Sequence, residues 1–349
     1  MSNTDIRGGP VVLFGSGETS PSGRKIHERM FSGLTPPVRV AILETPAGFQ
    51  PNADLVAGKV GEFLQHNLQN YKPEVSIIPA RRKSSRFSPD DPDLLAPMLK
   101  SNYIFLGPGS PTYAVRHLKE SLAYRYLLRR HWQGAVVSLA SAAAFAISSK
   151  VLPVYEIFKA GDDLHWVDGL DFFSMYGLDL TVVPHWNNAE GGDELDTSHG
   201  FVGLDRFTQL RAMLPSTTRI LGIDEHTAVV IDFAAGAGRV MGKGGATLCG
   251  GDSDVTIPHG ESFDLNQLGP LHDATPPADF VPEPSPAPEA ATPTALTEGT
   301  AELLDQRRLA RQNKEWARSD DLRDQLAALR VKVEDTQAGQ QWTIVKDEC

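Results

Sequence analysis

Short apolar segments recur along the first two thirds of the chain, and helical patterns lie between several of them. Most of these segments carry apolar residues on both faces and are rich in β-branched or aromatic residues. They comprise residues 10–15, 38–43, 74–78, 103–106, 135–139, 180–183, 219–223 and 228–232. Strands that are apolar on both faces and alternate with helices are typical of a parallel sheet covered on both sides. The pattern therefore predicts a three-layer α/β domain with a mainly parallel sheet.

The spacing within and between the segments predicts further elements. A helix is expected after the second segment, where Leu55, Val60 and Leu64 recur on one helical face, and another is expected over 114–122. The last two segments are separated only by residues 224–227. A connection this short between two apolar segments favours a β-hairpin.

The composition changes after about residue 256. Seven prolines stand there among Ala, Glu, Asp and Thr residues: Pro276, Pro277, Pro282, Pro284, Pro286, Pro288 and Pro293. Such a stretch buries too little apolar surface to offset its chain entropy, so it is expected to be an extended linker. We assign residues 1–258 to the α/β domain, 259–294 to a Pro-rich linker and 295–349 to a small helical module. The module is predicted to end in two strands around Gly339.

Charge and cysteine content narrow the function. The 349 residues include 33 basic and 44 acidic side chains, giving a net charge of −11. This balance argues against a protein that binds nucleic acid through its overall charge. Two cysteines, Cys249 and Cys349, are too few for a disulfide scaffold or a cysteine-based zinc site, and we expect neither a metal nor a cofactor.

The hydropathy pattern also bears on location. No apolar run reaches the roughly 18 residues of a membrane span, and the chain does not start with the pattern of a signal peptide. We therefore expect a cytoplasmic protein that has no membrane partner.

Three side chains of complementary chemistry follow predicted strands. Ser141 lies between a strand and a predicted helix, His185 follows the strand at 180–183, and two acids, Asp224 and Glu225, follow the strand at 219–223. A hydroxyl, an imidazole and a carboxylate can act as nucleophile, general base and orienting acid. Each also has a structural interpretation: a small-residue helix start, a half-buried histidine and a polar turn.

Glycines after the strand at 103–106 point to a fourth part of a site. Gly107 and Gly109 flank Pro108, and glycine lets the backbone approach a ligand closely. The backbone N–H groups of Gly109 and Ala142 are candidate donors to an oxyanion, whereas Pro108 has no N–H to donate. A simple turn before the next helix explains these glycines as well.

Taken in chain order, these motifs resemble the serine peptidase family of cyanophycinase and alpha-aspartyl dipeptidase, over about residues 10–255. The matching motifs are Leu13-Phe-Gly-Ser-Gly-Glu18, Phe105-Leu-Gly-Pro-Gly109, the serine turn, Val183-Pro-His185 and Gly222-Ile-Asp-Glu-His-Thr-Ala228. The resemblance implies a class I glutamine amidotransferase-like fold and a serine hydrolase that cleaves a small peptide or isopeptide bond. It implies that Ser141 is the nucleophile, His185 the base and Glu225 the orienting acid. It also implies that the N–H groups of Gly109 and Ala142 form the oxyanion site.

The serine turn departs from the family pattern. The family has Gly-Thr-Ser-Ala-Gly, whereas this chain has Leu139-Ala-Ser141-Ala-Ala143, and the side chain of Leu139 must find room beside a sharp turn. The departure leaves open a second hypothesis, an inactive peptidase-like protein that binds a ligand or a partner. The polar stretch 187–196 is expected to cap the pocket, and its acids argue against an acidic substrate. Thiol chemistry is disfavoured because no cysteine occupies the turn.

The last fifty or so residues resemble the extreme C-terminus of cysteinyl-tRNA synthetase, over about 296–346. The motifs are Leu303-Leu-Asp-Gln-Arg-Arg-Leu-Ala-Arg311, Lys314-Glu-Trp316 and Ser319-Asp-Asp-Leu-Arg-Asp-Gln-Leu326. The nucleotide-binding motifs of a synthetase are absent, so aminoacylation is not expected. Candidate partners of this module are a tRNA and a second protein, and the whole chain is a candidate homodimer. The candidate tRNA contacts are Arg307, Arg308, Arg311, Lys314 and Arg318, although interspersed acids also fit a solvated helix face.

Overall fold

A computed structural model describes residues 8–250, 253–272, 274, 298–313, 315–329, 331–336 and 339–344. The chain divides into two compact units, Met1–Pro282 and Glu283–Cys349. Most of the predicted linker (273 and 275–294), together with Lys314 and Cys349, lies outside the described residues.

In the described residues, the first unit contains fourteen strands and seven α-helices. The strands are β1 (Val11–Phe14), β2 (Arg39–Leu43), β3 (Glu74–Ile78), β4 (Tyr103–Leu106), β5 (Val136–Ala140), β6 (Lys150–Val151), β7 (Val167–Asp168), β8 (Leu180–Val183), β9 (Arg219–Ile223), β10 (Thr227–Asp232), β11 (Ala237–Gly242), β12 (Ala246–Cys249), β13 (Val255–Ile257) and β14 (Ser262–Asp264). The α-helices are α1 (Pro21–Ser32), α2 (Ala53–Asn67), α3 (Pro92–Leu95), α4 (Pro111–Leu118), α5 (Leu122–Trp132), α6 (Ala142–Ala146) and α7 (Leu204–Ala212). In the described part of the chain, no helix combines the length and the apolar character needed to cross a membrane.

An eight-stranded sheet forms the centre of this unit, in the order β14-β11-β10-β1-β5-β4-β2-β3. The five strands from β1 to β3 in this order are parallel, and β10, β11 and β14 extend the sheet antiparallel. Val11 and Leu13 join a core on one face, while Val12 and Phe14 join a core on the other. The predicted three-layer arrangement with a mainly parallel sheet is therefore confirmed.

A second, four-stranded sheet has the order β13-β12-β9-β8, with β8 and β9 parallel. The predicted hairpin between 219–223 and 228–232 is wrong, because β9 pairs with β8 and β12 whereas β10 pairs with β1 and β11. The connecting residues cross from one sheet to the other. This crossing brings Glu225 close to the carboxyl end of β8.

Two sequence boundaries also need correction. The predicted linker starts too early at 259, because Ser262–Asp264 pairs with β11 and the side chains of Leu265 and Leu268 are buried. The helix predicted over 114–122 ends at Leu118, and the Ser121 side chain caps the start of α5 by accepting from the Tyr124 N–H.

The second unit contains α8 (Glu298–Gln312), α9 (Trp316–Ala328), β15 (Val331–Thr336) and β16 (Gly339–Ile344). The two strands form an antiparallel pair, as predicted for the end of the chain. Leu304, Leu326, Val331 and Val333 form its buried apolar cluster. This cluster is small, so the unit has little apolar burial of its own.

Candidate active site

Ser141 stands at a sharp turn between β5 and α6. Its backbone has φ 51° and ψ −111°, a region that non-glycine residues rarely adopt. The serine N–H donates to the Phe14 carbonyl of the neighbouring strand, which holds the turn against the sheet. Leu139 lies in β5, two residues before Ser141, and its side chain is buried in the core and in register with Leu13 and Leu106. The sharp turn therefore forms without the family's first glycine.

His185 follows β8 and also has a positive φ, at 55°. Its carbonyl accepts from the N–H groups of Asn188 and Gly200, and its ring lies 4.9 Å from that of Phe201. The next residue, Trp186, donates its N–H to the carbonyl of Ile223 at the end of β9. These bonds fix the histidine loop against the strand that precedes Glu225.

The two acids after β9 have different partners. Asp224 accepts a hydrogen bond from the Gly245 N–H at 2.7 Å, and burial raises the pKa of its carboxyl. Glu225 turns instead toward His185, and its own N–H donates to the Asn187 side chain. Glu225 is therefore the acid that the structure places beside the imidazole, at the position the sequence predicts.

The hydroxyl, imidazole and carboxylate form a continuous hydrogen-bonded row. Ser141 Oγ lies 2.8 Å from His185 Nε2, and His185 Nδ1 lies 3.0 Å from Glu225 Oε1. The bond from His185 lowers the pKa of Glu225, the bond from Asn188 acts in the same direction, and partial burial opposes both. An ionised Glu225 favours the tautomer with the proton on Nδ1, which leaves Nε2 free to accept the serine proton.

Asn188 is a member of this site that the sequence reasoning did not identify. Its side chain is 3% exposed and donates to Glu225 Oε1 at 2.7 Å. Its Oδ1 accepts from the Glu190 N–H in the predicted capping stretch. Asn188, which lies at the start of that stretch, thus links the carboxylate to the backbone of Glu190. Within a run of polar loop residues, no local pattern separates it from its neighbours.

A cavity of about 440 Å³ opens beside the serine. Gly109, Ser141, Ala142 and His185 share its wall, so both predicted oxyanion donors lie at the cavity that holds the hydroxyl. The remaining wall is mixed: Lys159 and Glu190 are charged, and the apolar part comes from Phe145, Val154, Phe158, Leu195 and Phe201. Leu195 comes from the predicted capping stretch, which therefore does border the pocket.

Glycine is required at position 109. Its φ is 153°, and an added Cβ would lie 1.9 Å from the carbonyl oxygen of Pro46. In the described residues, neither the Gly109 N–H nor the Ala142 N–H donates to another protein atom. Both groups are thus available to a bound oxyanion.

Two groups of sequence candidates lie elsewhere. Cys249 is on β12 and 2% exposed, and burial raises the pKa of its thiol to about 12, so it is a poor nucleophile. Arg307 of the second unit is 1% exposed and does not present its guanidinium to solvent as a tRNA contact would require. Arg308 and Arg318 lie on the surface and face acids of the second unit at 3.1 and 3.5 Å.

Comparison with solved structures identifies the fold. A peptidase from an acI-B1 Actinobacterium covers 74% of this chain and 97% of its own length, with a TM-score of 0.59 and 19% identity. The α/β unit has a peptidase fold. A putative peptidase E protein from Listeria monocytogenes covers 72% of this chain and 98% of its own, with a TM-score of 0.43 and 15% identity. The peptidase resemblance seen in the sequence is confirmed at the level of fold.

Comparison by sequence concerns the other end of the chain. Residues 294–342 match the family described as Cysteinyl-tRNA ligase anticodon binding domain. A cysteine–tRNA ligase from Beutenbergia cavernae is 48% identical over 65 residues, which are 19% of this chain and 13% of the relative. The chain thus spans little more than a tenth of that relative's length. The resemblance predicted for about 296–346 is confirmed.

Proposed function

We propose that the α/β unit is a serine hydrolase that cleaves a peptide or isopeptide bond in a small substrate. The observation that carries the proposal is the row of two hydrogen bonds joining Ser141, His185 and Glu225, at 2.8 and 3.0 Å. The peptidase fold adds support without defining the reaction.

The first half of the reaction follows from this geometry. Ser141 Oγ attacks the substrate carbonyl while its proton passes to His185 Nε2. Glu225 accepts from Nδ1–H and stabilises the imidazolium that forms. The N–H groups of Gly109 and Ala142 donate to the oxyanion. His185 then gives its proton to the leaving amine, the carbon–nitrogen bond breaks, and an ester to Ser141 remains.

The second half uses the same groups with water. His185 Nε2 takes a proton from water as the oxygen attacks the ester, and it returns that proton to Ser141 Oγ as the acid product leaves. No redox partner is required. The apolar side chains beside the serine favour a substrate with an uncharged, apolar side chain over an aspartyl one, while the two charged residues of the same wall, Lys159 and Glu190, have opposite signs.

A fluorophosphonate probe tests the nucleophile, because it forms a covalent bond to an activated serine and releases fluoride. We expect the purified full-length protein to be labelled and the Ser141→Ala variant to remain unlabelled. Ser198→Ala is a matched control, since Ser198 Oγ also lies beside a histidine, His199, at 2.7 Å. Labelling that survives in S141A, or a folded wild-type protein that is never labelled, would support the ligand-binding hypothesis instead.

Substrate preference needs a separate assay. Dipeptides that differ only in an apolar or an aspartyl residue at the scissile carbonyl are compared with the wild-type protein. The apolar wall predicts faster release of the amine product from the apolar series. A clear preference for the aspartyl series would contradict the proposed pocket chemistry while leaving the serine mechanism intact.

For the second unit we propose contact with a tRNA, carried by the match of residues 294–342 to an anticodon binding domain. The exposed guanidiniums of Arg308 and Arg318 are the candidate phosphate contacts. Filter binding of a cysteine tRNA to the full-length protein is expected to weaken in R308E/R318E and to persist in R29E, a change in the first unit. Absence of binding at low salt would favour a protein partner.

A further inference from the structure

A second cavity, of about 430 Å³, lies on the far side of α4 from the serine site. Its lining comprises Gly48, Phe49, Arg82, Tyr113, Arg116 and His117. These residues follow the carboxyl ends of β2, β3 and β4, the edge at which open α/β sheets bind ligands. Pro111 of the same helix borders the serine cavity instead, so α4 separates the two.

Two guanidiniums give this cavity a positive character. Arg82 and Arg116 are exposed, and in the described part of the chain no carboxylate lies within ion-pair distance of either. The adjacent Arg81, by contrast, is paired with Glu44. Unpaired arginines that converge on one cavity are unusual in a chain whose net charge is −11.

The charges of Arg82 and Arg116 both affect the pKa values of His117 and Tyr113. Burial lowers the pKa of His117, and the charges of Arg116 and Arg82 lower it further, followed by that of Lys83. His117 Nδ1 accepts from the Lys83 N–H at 3.2 Å, which fits a neutral ring. Burial raises the pKa of the Tyr113 hydroxyl, and the charges of both arginines lower it. Both positive charges are therefore close to the same wall.

Aromatic rings form that wall. The Phe49 and Tyr113 ring centroids lie 5.3 Å apart, and those of Tyr113 and His117 lie 4.3 Å apart. Phe49 is 49% exposed, which is high for a large apolar side chain. An exposed ring beside free guanidiniums offers a stacking surface next to an anion site.

We propose that this cavity binds a small aromatic anion, with Arg82 and Arg116 holding its phosphate or carboxylate and Phe49 and Tyr113 contacting its ring. A guanidinium pairs with either anion, so a nucleotide and an aromatic acid share the required chemistry. The site is independent of the reaction at Ser141, and an inactive serine would leave it unchanged.

Titration calorimetry of the full-length protein tests the site with four probes: adenosine 5′-monophosphate, benzoate, adenosine and inorganic phosphate. We expect saturable binding of one or both aromatic anions, and weaker binding of adenosine and of inorganic phosphate. The R82Q and R116Q variants are expected to weaken binding by about tenfold or more. Phe49→Ala is expected to weaken it as well. Arg29→Gln, an exposed arginine on α1, is the matched control and is expected to bind normally.

Each outcome decides the proposal. Binding of the nucleotide alone identifies a phosphate ligand, and binding of benzoate alone identifies a carboxylate ligand; both support the site. Equal affinity for inorganic phosphate and the nucleotide would show that the aromatic rings do not contribute to binding, and it would overturn the proposal. The proposal is also overturned if neither aromatic anion shows saturable binding, or if the R82Q and R116Q variants bind as tightly as the wild type. The arginines are exposed, and the melting temperature of each variant shows whether it is folded.

Discussion

Asn188 and His185 donate to the same oxygen of Glu225, at 2.7 and 3.0 Å. The carboxylate is therefore held from two sides, by the imidazole of His185 and by the buried amide of Asn188. Glu225 is also fixed through its backbone, because its N–H donates to Asn187. Positioning of the acid thus depends on the loop that follows His185 as much as on β9.

Removal of the buried amide is expected to impair the site without removing any member of the triad. In Asn188→Ala, Glu225 loses a hydrogen bond to a charged group, a contact worth about 1.5–3 kcal/mol. The carboxylate gains freedom and its pKa rises toward the usual value. We expect labelling by the fluorophosphonate probe to slow by about tenfold or more, with little change in the folded fraction. Asn266→Ala, which removes a similar bond to Asp264, is the distant control. Unchanged labelling in N188A would argue against a positioning role.

Replacement of the acid itself is expected to have a larger effect. Glu225→Gln keeps the size of the side chain but removes the charge that stabilises the imidazolium. Loss of this stabilisation is expected to slow labelling by about 10²–10⁴-fold. Circular dichroism checks that the variant is folded. A rate near that of the wild type would show that Glu225 does not take part in the reaction.

The position of Leu139 predicts a stability effect rather than a gain of function. Its side chain is 1% exposed within the core, so Leu139→Ala leaves a cavity and is expected to cost about 2–5 kcal/mol of unfolding free energy. Leu204→Ala, at a side chain that is 53% exposed, is expected to change stability by less than about 0.5 kcal/mol. If L139A instead labels faster per folded molecule, Leu139 restricts the serine turn after all.

The sequence predicts the central parallel strands well because β1, β4 and β5 are buried on both faces. β1 to β5, β8, β9 and β10 all coincide with segments that are mainly apolar. The connection between β9 and β10 is different, since a short polar stretch fits either a hairpin or a crossing between sheets. Strand partners decide between these, and local sequence does not specify partners.

The residues of the proposed triad are predictable because each lies in a motif that resembles a peptidase family; position after a strand end alone does not separate Glu225 from Asp224. The role of Asn188 and the cavity at Arg82 and Arg116 are not predictable from the sequence. Their roles depend on which loops meet in space: the stretch after β8 meets the end of β9, and the loop after β3 meets α4. β14 was missed because the proline-rich composition that follows it dominates the pattern.

The contact between Trp186 and Gly222 predicts that a single methyl group disturbs the site. An added Cβ at Gly222 would lie 2.3 Å from the indole ring. Because Trp186 adjoins His185, its displacement is expected to move the imidazole, so Gly222→Ala should slow labelling and alter tryptophan fluorescence. Gly58→Ala, where nothing lies within 4 Å of the added Cβ, is the matched control. Normal labelling in G222A would show that the histidine loop tolerates the shift.

Two buried histidines predict a loss of stability in mild acid. Burial lowers the pKa of His27 to about 4 and that of His131 to about 3, whereas an unfolded histidine titrates near 6.5. The contribution of the two neutral histidines to the free energy of unfolding is therefore complete above about pH 6.5. It is lost progressively as the pH falls toward their pKa values in the folded state, because in this range only the unfolded chain binds the protons. The loss is about 2 kcal/mol for each histidine by pH 5. Urea unfolding at pH 7.5 and pH 5 measures it. His27→Gln is expected to reduce the difference between the two pH values, and His66→Gln, on the exposed side of α2, to leave it unchanged. If the free energy of unfolding changes between pH 7.5 and pH 5 by the same amount in H27Q as in the wild type, His27 is not a source of the acid sensitivity.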